Sequence, residues 1–314
     1  MKNDSEVSPF INDDSHSTLF LGIDGGGSKC KAIIMNENND ILGIGIAGPG
    51  NPLHGFEQAT KSITESAQLA LKDAGLNNLK LSELNAGVGL AGVNLPVHLK
   101  KMQEWQHPFK QLFLAHDLLI ACLGAHHSNN GAVIISGTGS CGFSCIDEQE
   151  LLIGGHGFPQ GDKGSGAWFG LQATEKVLLS LDGLVAPSLM NDVLLKQLGC
   201  TDATSIVEKV AGQKATFYAQ LANLVFDAAE QGDKVAIAIV VEGVDYLNSV
   251  ARILLSKKPS RLSMLGGLTS RLKPWLDMAL KTQLSEPLSE PEVGAVLFAR
   301  QALEKQHLNI NIST

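Results

Sequence analysis

The sequence predicts an α/β protein of two duplicated halves with a cleft between them. Two observations carry this reading. Strand-like apolar runs alternate with helix-like segments along most of the 314 residues, the pattern of a sheet with helical connections. A strand, a glycine-rich turn and a second strand also occur twice, at Leu19–Met35 and again at Gly131–Ile146. Such self-similarity reads as an internal duplication.

Taken in order, LFLGI and AIIM flank a turn made of Asp24, Gly25, Gly26, Gly27 and Ser28, a hairpin that exposes backbone N–H groups. Ile41–Ala47 is a third strand, followed by a rigid Gly-Pro-Gly-Asn-Pro loop holding Asn51. Gly55–Gly75 has helical periodicity and a glycine stop. Leu84–Leu90 is a strand, Leu95–Gln106 a helix, Gln111–Leu114 a short strand and Leu118–His126 a helix whose small residues allow close packing. The pattern then restarts with strand Gly131–Ser136, turn Gly137–Ser140 and strand Cys141–Ile146. Gly154–Gly170 reads as a glycine-rich loop, and Leu171–Leu181 as the helix after it. Residues from Pro187 to Leu255 are mostly helical, Leu262–Leu265 is a strand leading into Gly266-Gly267, and Val293–Leu303 is a final helix. The expected division is a disordered leader over 1–18, one domain over 19–126 and a second over 127–314. The last helix, about 292–304, is expected to pack back on the first half.

Composition narrows the function. Hydrophobic residues make up 44% and charged residues 18%, as in a soluble globular protein. The net charge of −8 argues against an extended nucleic-acid surface. The sequence has no run approaching the roughly 18 apolar residues of a membrane span, and the first residues lack a signal-peptide core. The expectation is therefore a cytoplasmic protein, with no nucleic-acid or membrane partner. Five scattered cysteines, Cys30, Cys122, Cys141, Cys145 and Cys200, fit free thiols in a reducing compartment.

Each candidate motif has a bland alternative. Three consecutive glycines after Asp24 exceed what an ordinary hairpin needs, so the turn is read as a phosphate cradle, with Asp24 beside it able to hold Mg²⁺. The GxGxxG matches at Gly43, Gly87 and Gly137 are not followed by the helix a dinucleotide fold requires. Gly22 and Gly27 have P-loop spacing, but Ser28-Lys29 reverses the Lys-Ser order. Asp117, between a strand and a helix, is either an N-cap or a general base at a sheet edge. Asn51 and Asp162 are either turn formers or hydrogen-bond partners of a polyhydroxylated ligand. Cys141 and Cys145 lack the second pair of a zinc site, His126-His127 reads as a polar helix end, and Trp168-Phe169 reads as core.

The motifs together resemble the BadF/BadG/BcrA/BcrD ATPase family of the sugar kinase/heat-shock chaperone/actin superfamily, over roughly residues 19–300. GIDGGGSKCKA resembles its first phosphate motif, ISGTGSCG its second and AHDLLIACLGAH its connecting segment. GGHGFPQGDKGSGAWFGL resembles the amino-sugar loop, MLGGLTSRL the adenosine motif and EVGAVLFA the final connecting helix. The resemblance implies two ribonuclease H-like (actin-like ATPase) domains and an ATP- and Mg²⁺-dependent kinase. Its acceptor is N-acetylglucosamine or glucosamine, phosphorylated at the 6-hydroxyl. It further implies Asp117 as base and Asp24 as the Mg²⁺ carboxylate. Gly25, Gly26, Gly27, Ser28 and Lys29 fall in the first phosphate turn, and Gly137, Thr138 and Gly139 in the second. Gly266 and Gly267 are assigned to the adenosine, and Asn51, Gly155, His156 and Asp162 to the sugar. His156 stands where the animal enzymes have Trp, which bears on the acetamido pocket. Dimers are common among the resembling enzymes, which makes a homodimer the partner to test. The alternatives are an ATPase activator of a dehydratase type, with an iron–sulfur cluster between subunits, or a non-catalytic sugar sensor.

Overall fold

The computed structural model describes residues 18–312. The expected leader lies outside the described residues but for Thr18. The structure consists of two compact units. One runs to His116 and takes in the chain again from Phe298; the other is Asp117–Leu297.

The first unit holds five strands, β1 (Phe20–Gly25), β2 (Cys30–Met35), β3 (Ile41–Ala47), β4 (Asn85–Leu90) and β5 (Gln111–His116). They are ordered β3-β2-β1-β4-β5, with β1, β2 and β3 antiparallel and β4 and β5 parallel to β1. Helices α1 (Phe56–Asp73) and α2 (Pro96–Gln103) connect them. The glycines of ILGIGIA serve packing: a Cβ at Gly43 or Gly45 would collide with the Ala70 or Ser66 carbonyl of α1. Buried Ile63, Ala67 and Ala70 of α1 meet Leu21, Ile23, Ile34 and Val88 of the sheet. The apolar stripe of α1 thus has its partner surface.

The second unit repeats the plan. Strands β6 (Gly131–Ser136), β7 (Ser140–Ile146), β8 (Gln149–Gly154) and β9 (Leu262–Leu265) are ordered β8-β7-β6-β9. Again three antiparallel strands are followed by a strand parallel to the first. The helices are α3 (Asp117–His126), α4 (Gly166–Leu181), α5 (Met190–Leu198), α6 (Ala203–Val210), α7 (Ala215–Ala219), α8 (Ala222–Glu230), α9 (Lys234–Ser256), α10 (Thr269–Leu272), α11 (Met278–Lys281) and the first turns of α12 (Pro291–Ile312), whose residues from Phe298 belong to the first unit. The core centres on Phe169, Phe226, Val240 and Leu254, with the Phe169 and Phe226 rings edge to face at 4.9 Å. Trp168 and Phe169 are core, as their bland reading held. Helices α3 and α12 cross on small residues, since a Cβ at Gly294 would collide with the Ile120 carbonyl.

Two local readings are corrected. Strand β8 occupies residues that carried no strand signal. Helix α4 starts at Gly166, not at Leu171, with Ser165 as its N-cap accepting from the Trp168 N–H at 3.2 Å.

Candidate functional site

In the first unit, β1 carries Asp24 to the edge of a tight turn. Asp24 pairs in register with Lys31 and Gly89 and is half-buried. The Gly26 N–H donates to the Lys29 carbonyl at 2.9 Å, and the Gly50 N–H donates to the Gly26 carbonyl at 2.9 Å. Gly25 and Gly50 touch so closely that a Cβ at Gly50 would lie 2.7 Å from the Gly25 Cα. Gly26 and Gly27 differ. Neither has a positive φ, and a Cβ would find its nearest neighbour at 3.6 Å and 3.4 Å respectively. Neither strain nor packing within the protein requires glycine there. The neighbour at Gly27 is the His54 ring, a residue sequence reading passed over. Asn51 caps the short turn Pro52–His54, its Oδ1 accepting from the Leu53 N–H at 2.9 Å. A Cβ at Gly92 would lie 2.5 Å from that same oxygen.

In the second unit, the turn after β6 is stitched to the loop that precedes α4. The Gly166 N–H donates to the Gly137 carbonyl at 2.8 Å and the Ala167 N–H to the Thr138 carbonyl at 3.2 Å. The Ser136 hydroxyl donates to the Gly164 carbonyl, and the Ser140 hydroxyl to the Lys163 carbonyl, each at 2.8 Å. Gly137 and Gly267 have open space: a Cβ at either would meet nothing within 4 Å. Gly266 is needed by the fold, with φ of 104° and its Cβ position against the Ser136 carbonyl.

Asp162 brings the loop to the turn. It adopts φ of 59°, uncommon for a residue with a side chain. Its carboxylate accepts from the Gly157 N–H at 3.2 Å, and a Cβ at Gly139 would lie 2.8 Å from its Oδ2. Burial pushes the Asp162 carboxyl above the usual aspartate range, against the pull of the Gly157 and Ser140 backbone and the His156 charge. Asp117 is the first residue of α3, and the Leu118 N–H donates to its Oδ1 at 3.0 Å. Cys141 of β7 is buried. Its thiol is pushed up to about 12, first by burial and then by the negative charges of Asp117 and Asp162. The structure therefore brings Asp162 to the Gly137–Gly139 turn and Gly155 to Cys141, a residue that sequence reading took only as a buried thiol. His156 is exposed on the same loop.

A magnesium ion carried on phosphates takes only one or two protein carboxylates and keeps several waters. Asp24, half-buried at the head of a turn whose Gly26 and Gly27 are not closely packed, fits that requirement. Among the described residues, no three or more His, Cys, Asp or Glu side chains are grouped to hold a metal ion. No helix among the described residues is long and apolar enough to cross a membrane.

Two sheets of the same plan, each with a glycine turn after its first strand, define a two-domain actin-like ATPase. The chain belongs to the BadF/BadG/BcrA/BcrD ATPase family, whose model matches residues 21–299. It is 31% identical over 280 residues to glucosamine kinase GspK of Vibrio cholerae serotype O1, covering 89% of this chain and 95% of that protein. It is 25% identical over 312 residues to the N-acetyl-D-glucosamine kinase of Dictyostelium discoideum, covering 90% and 97%. A crystal structure of a candidate N-acetylglucosamine kinase from Chromobacterium violaceum matches with a TM-score of 0.84 and 27% identity, over 90% of this chain and 99% of that one.

Proposed function

We propose that this protein is an ATP-dependent amino-sugar kinase that phosphorylates the 6-hydroxyl of glucosamine or N-acetylglucosamine, with Asp117 as general base. The observation that carries the reading is Asp162 set against the Gly137–Gly139 turn, its Oδ2 2.8 Å from a Cβ at Gly139, with Asp117 opening α3 at the end of β5. The relatives' names supply the substrate class.

Phosphoryl transfer depends mainly on positioning and charge neutralisation. Asp117 takes the proton of the sugar 6-hydroxyl as that oxygen bonds to the γ-phosphorus. The bond from the γ-phosphorus to the bridging oxygen breaks, and ADP leaves. Gly26, Gly27 and Ser28, with Gly25 and Lys29 around them, lie against the terminal phosphates. Gly137, Thr138 and Gly139 cradle phosphate, and Gly266 and Gly267 face the adenosine. When bound, magnesium neutralises phosphate charge, and Asp24 is the carboxylate that would hold it. Asn51, Gly155 and Asp162 hold sugar hydroxyls, while His156 borders the 2-substituent.

The dehydratase-activator reading needs cysteines that can reach a cluster between subunits. Cys30, Cys122, Cys141 and Cys145 are all buried, so the kinase reading is favoured. A coupled ADP-release assay with glucosamine, N-acetylglucosamine, glucose and mannosamine tests it. The expected result is ADP release stimulated by one of the first two. Release unaffected by all four sugars would contradict it.

A further inference from the structure

We propose that Tyr246 is a positioning residue of the acceptor site: its hydroxyl braces the loop that carries Gly155, His156 and Asp162. The proposal rests on the amino-sugar kinase reading above.

Tyr246 lies on one face of α9 together with Gly243, Leu247, Val250 and Leu254, spaced as helical neighbours. That face packs onto three glycines. A Cβ at Gly164 would lie 2.9 Å from the Gly243 carbonyl and 3.0 Å from Leu247. A Cβ at Gly142 would collide with Val250 and lie 3.1 Å from Leu254. At Gly154 it would lie 2.5 Å from the Tyr246 hydroxyl oxygen. Leu247, Val250 and Leu254 are fully buried and apolar, and a phenylalanine ring would continue that packing. The hydroxyl is the part that packing does not require.

What it touches is the start of the loop. Gly154, Gly155, Gly157 and Asp162 all have positive φ, at 74°, 68°, 83° and 59°. Glycine takes this conformation freely and leaves the loop many alternatives, so its shape depends on the contacts that hold it. The Gly155 N–H donates to the Ser140 carbonyl at 3.2 Å, and a Cβ at Gly155 would lie 3.3 Å from that of Cys141. The Tyr246 hydroxyl therefore sits against Gly154, the residue before Gly155 and its contact with Cys141. Burial raises the phenol, and the charges of Asp162 and Cys141 raise it further, in keeping with that placement. The groups that Tyr246 positions belong to the acceptor, so its loss should register on the sugar and not on ATP.

The test is Tyr246→Phe in the full chain, which keeps the ring. One neutral hydrogen-bonding group is worth roughly a three- to tenfold change in affinity. The expected result is a KM for the amino sugar raised by that factor, with kcat and the KM for ATP within about twofold of wild type. Calorimetric titration with the same sugar should show the same weakening, and the melting temperature should stay put. A sugar KM unchanged from wild type, or sugar and ATP KM rising together, would overturn the proposal. Sugar-stimulated turnover in the wild type with a normal Tyr246→Phe enzyme overturns this inference alone. A wild type that neither binds nor turns over either amino sugar removes the kinase reading and this inference with it.

Discussion

Asp117→Asn is expected to lower kcat by about 10²–10⁴-fold, the usual contribution of a positioned general base. The substitution is conservative in geometry. Asp117 opens α3 and orients its Oδ1 toward the Leu118 N–H at 3.0 Å, a bond that an asparagine oxygen can also accept. What changes is the ability to take a proton. The affinity for ATP, measured by titration in the absence of sugar, is therefore expected to stay within about threefold of wild type, because the proposed base does not hold the nucleotide. Near-normal kcat would remove Asp117 from the role. Loss of nucleotide affinity in parallel with kcat would make it part of the binding apparatus.

The second large effect separates two kinds of glycine. In α4, Gly170 packs against α7 so tightly that a Cβ would collide with the Tyr218 carbonyl. That oxygen belongs to backbone and cannot swing away. Gly170→Ala is expected to cost about 3 kcal/mol, as overpacking in a core does, and to lower the melting temperature by roughly 5–10 °C. Gly137→Ala should behave in the opposite way. Its Cβ would meet nothing within 4 Å and its φ is not in the left-handed region. Stability should hold or rise slightly, by about 0.4–1 kcal/mol through the unfolded chain. The KM for ATP should rise roughly tenfold, since the new methyl occupies the space assigned to phosphate. Calorimetric melting and ATP titration on both variants check the pair. A Gly137→Ala enzyme with unchanged ATP affinity would detach this turn from the nucleotide.

The same distinction explains how far the site was legible in the sequence. Strands β1, β6 and β9 were readable because they are short apolar runs ended by glycine, and β2 because its apolar run follows the first glycine turn. The second turn was readable because it repeated the first. Glycine was also what misled. Gly166 and Gly170 read as loop, yet they are helical, and they are glycine because a side chain would meet the Gly137 and Tyr218 carbonyls. The GxG of β3 likewise records the closeness of α1, a contact between residues far apart in sequence. Strand β8, QELLIG, was missed because its first residues are polar and exposed; it is a strand because β7 offers it an edge to pair with. Asp117 and Asp162 could be singled out from the family pattern. Cys141, whose thiol their charges raise, could not, because nothing local distinguishes it from a thiol in a core. Tyr246 lies 84 residues beyond Asp162 by its number, on a helix whose periodicity announces only packing.

The most direct test of the central claim is the fate of the γ-phosphate. Wild-type protein incubated with ATP, magnesium and glucosamine or N-acetylglucosamine can be followed by ³¹P NMR with ³¹P–¹H correlation. The account predicts a phosphomonoester resonance correlated to the C6 protons of the amino sugar, growing in step with ADP. ADP accompanied only by inorganic phosphate, with no sugar ester formed, would contradict it.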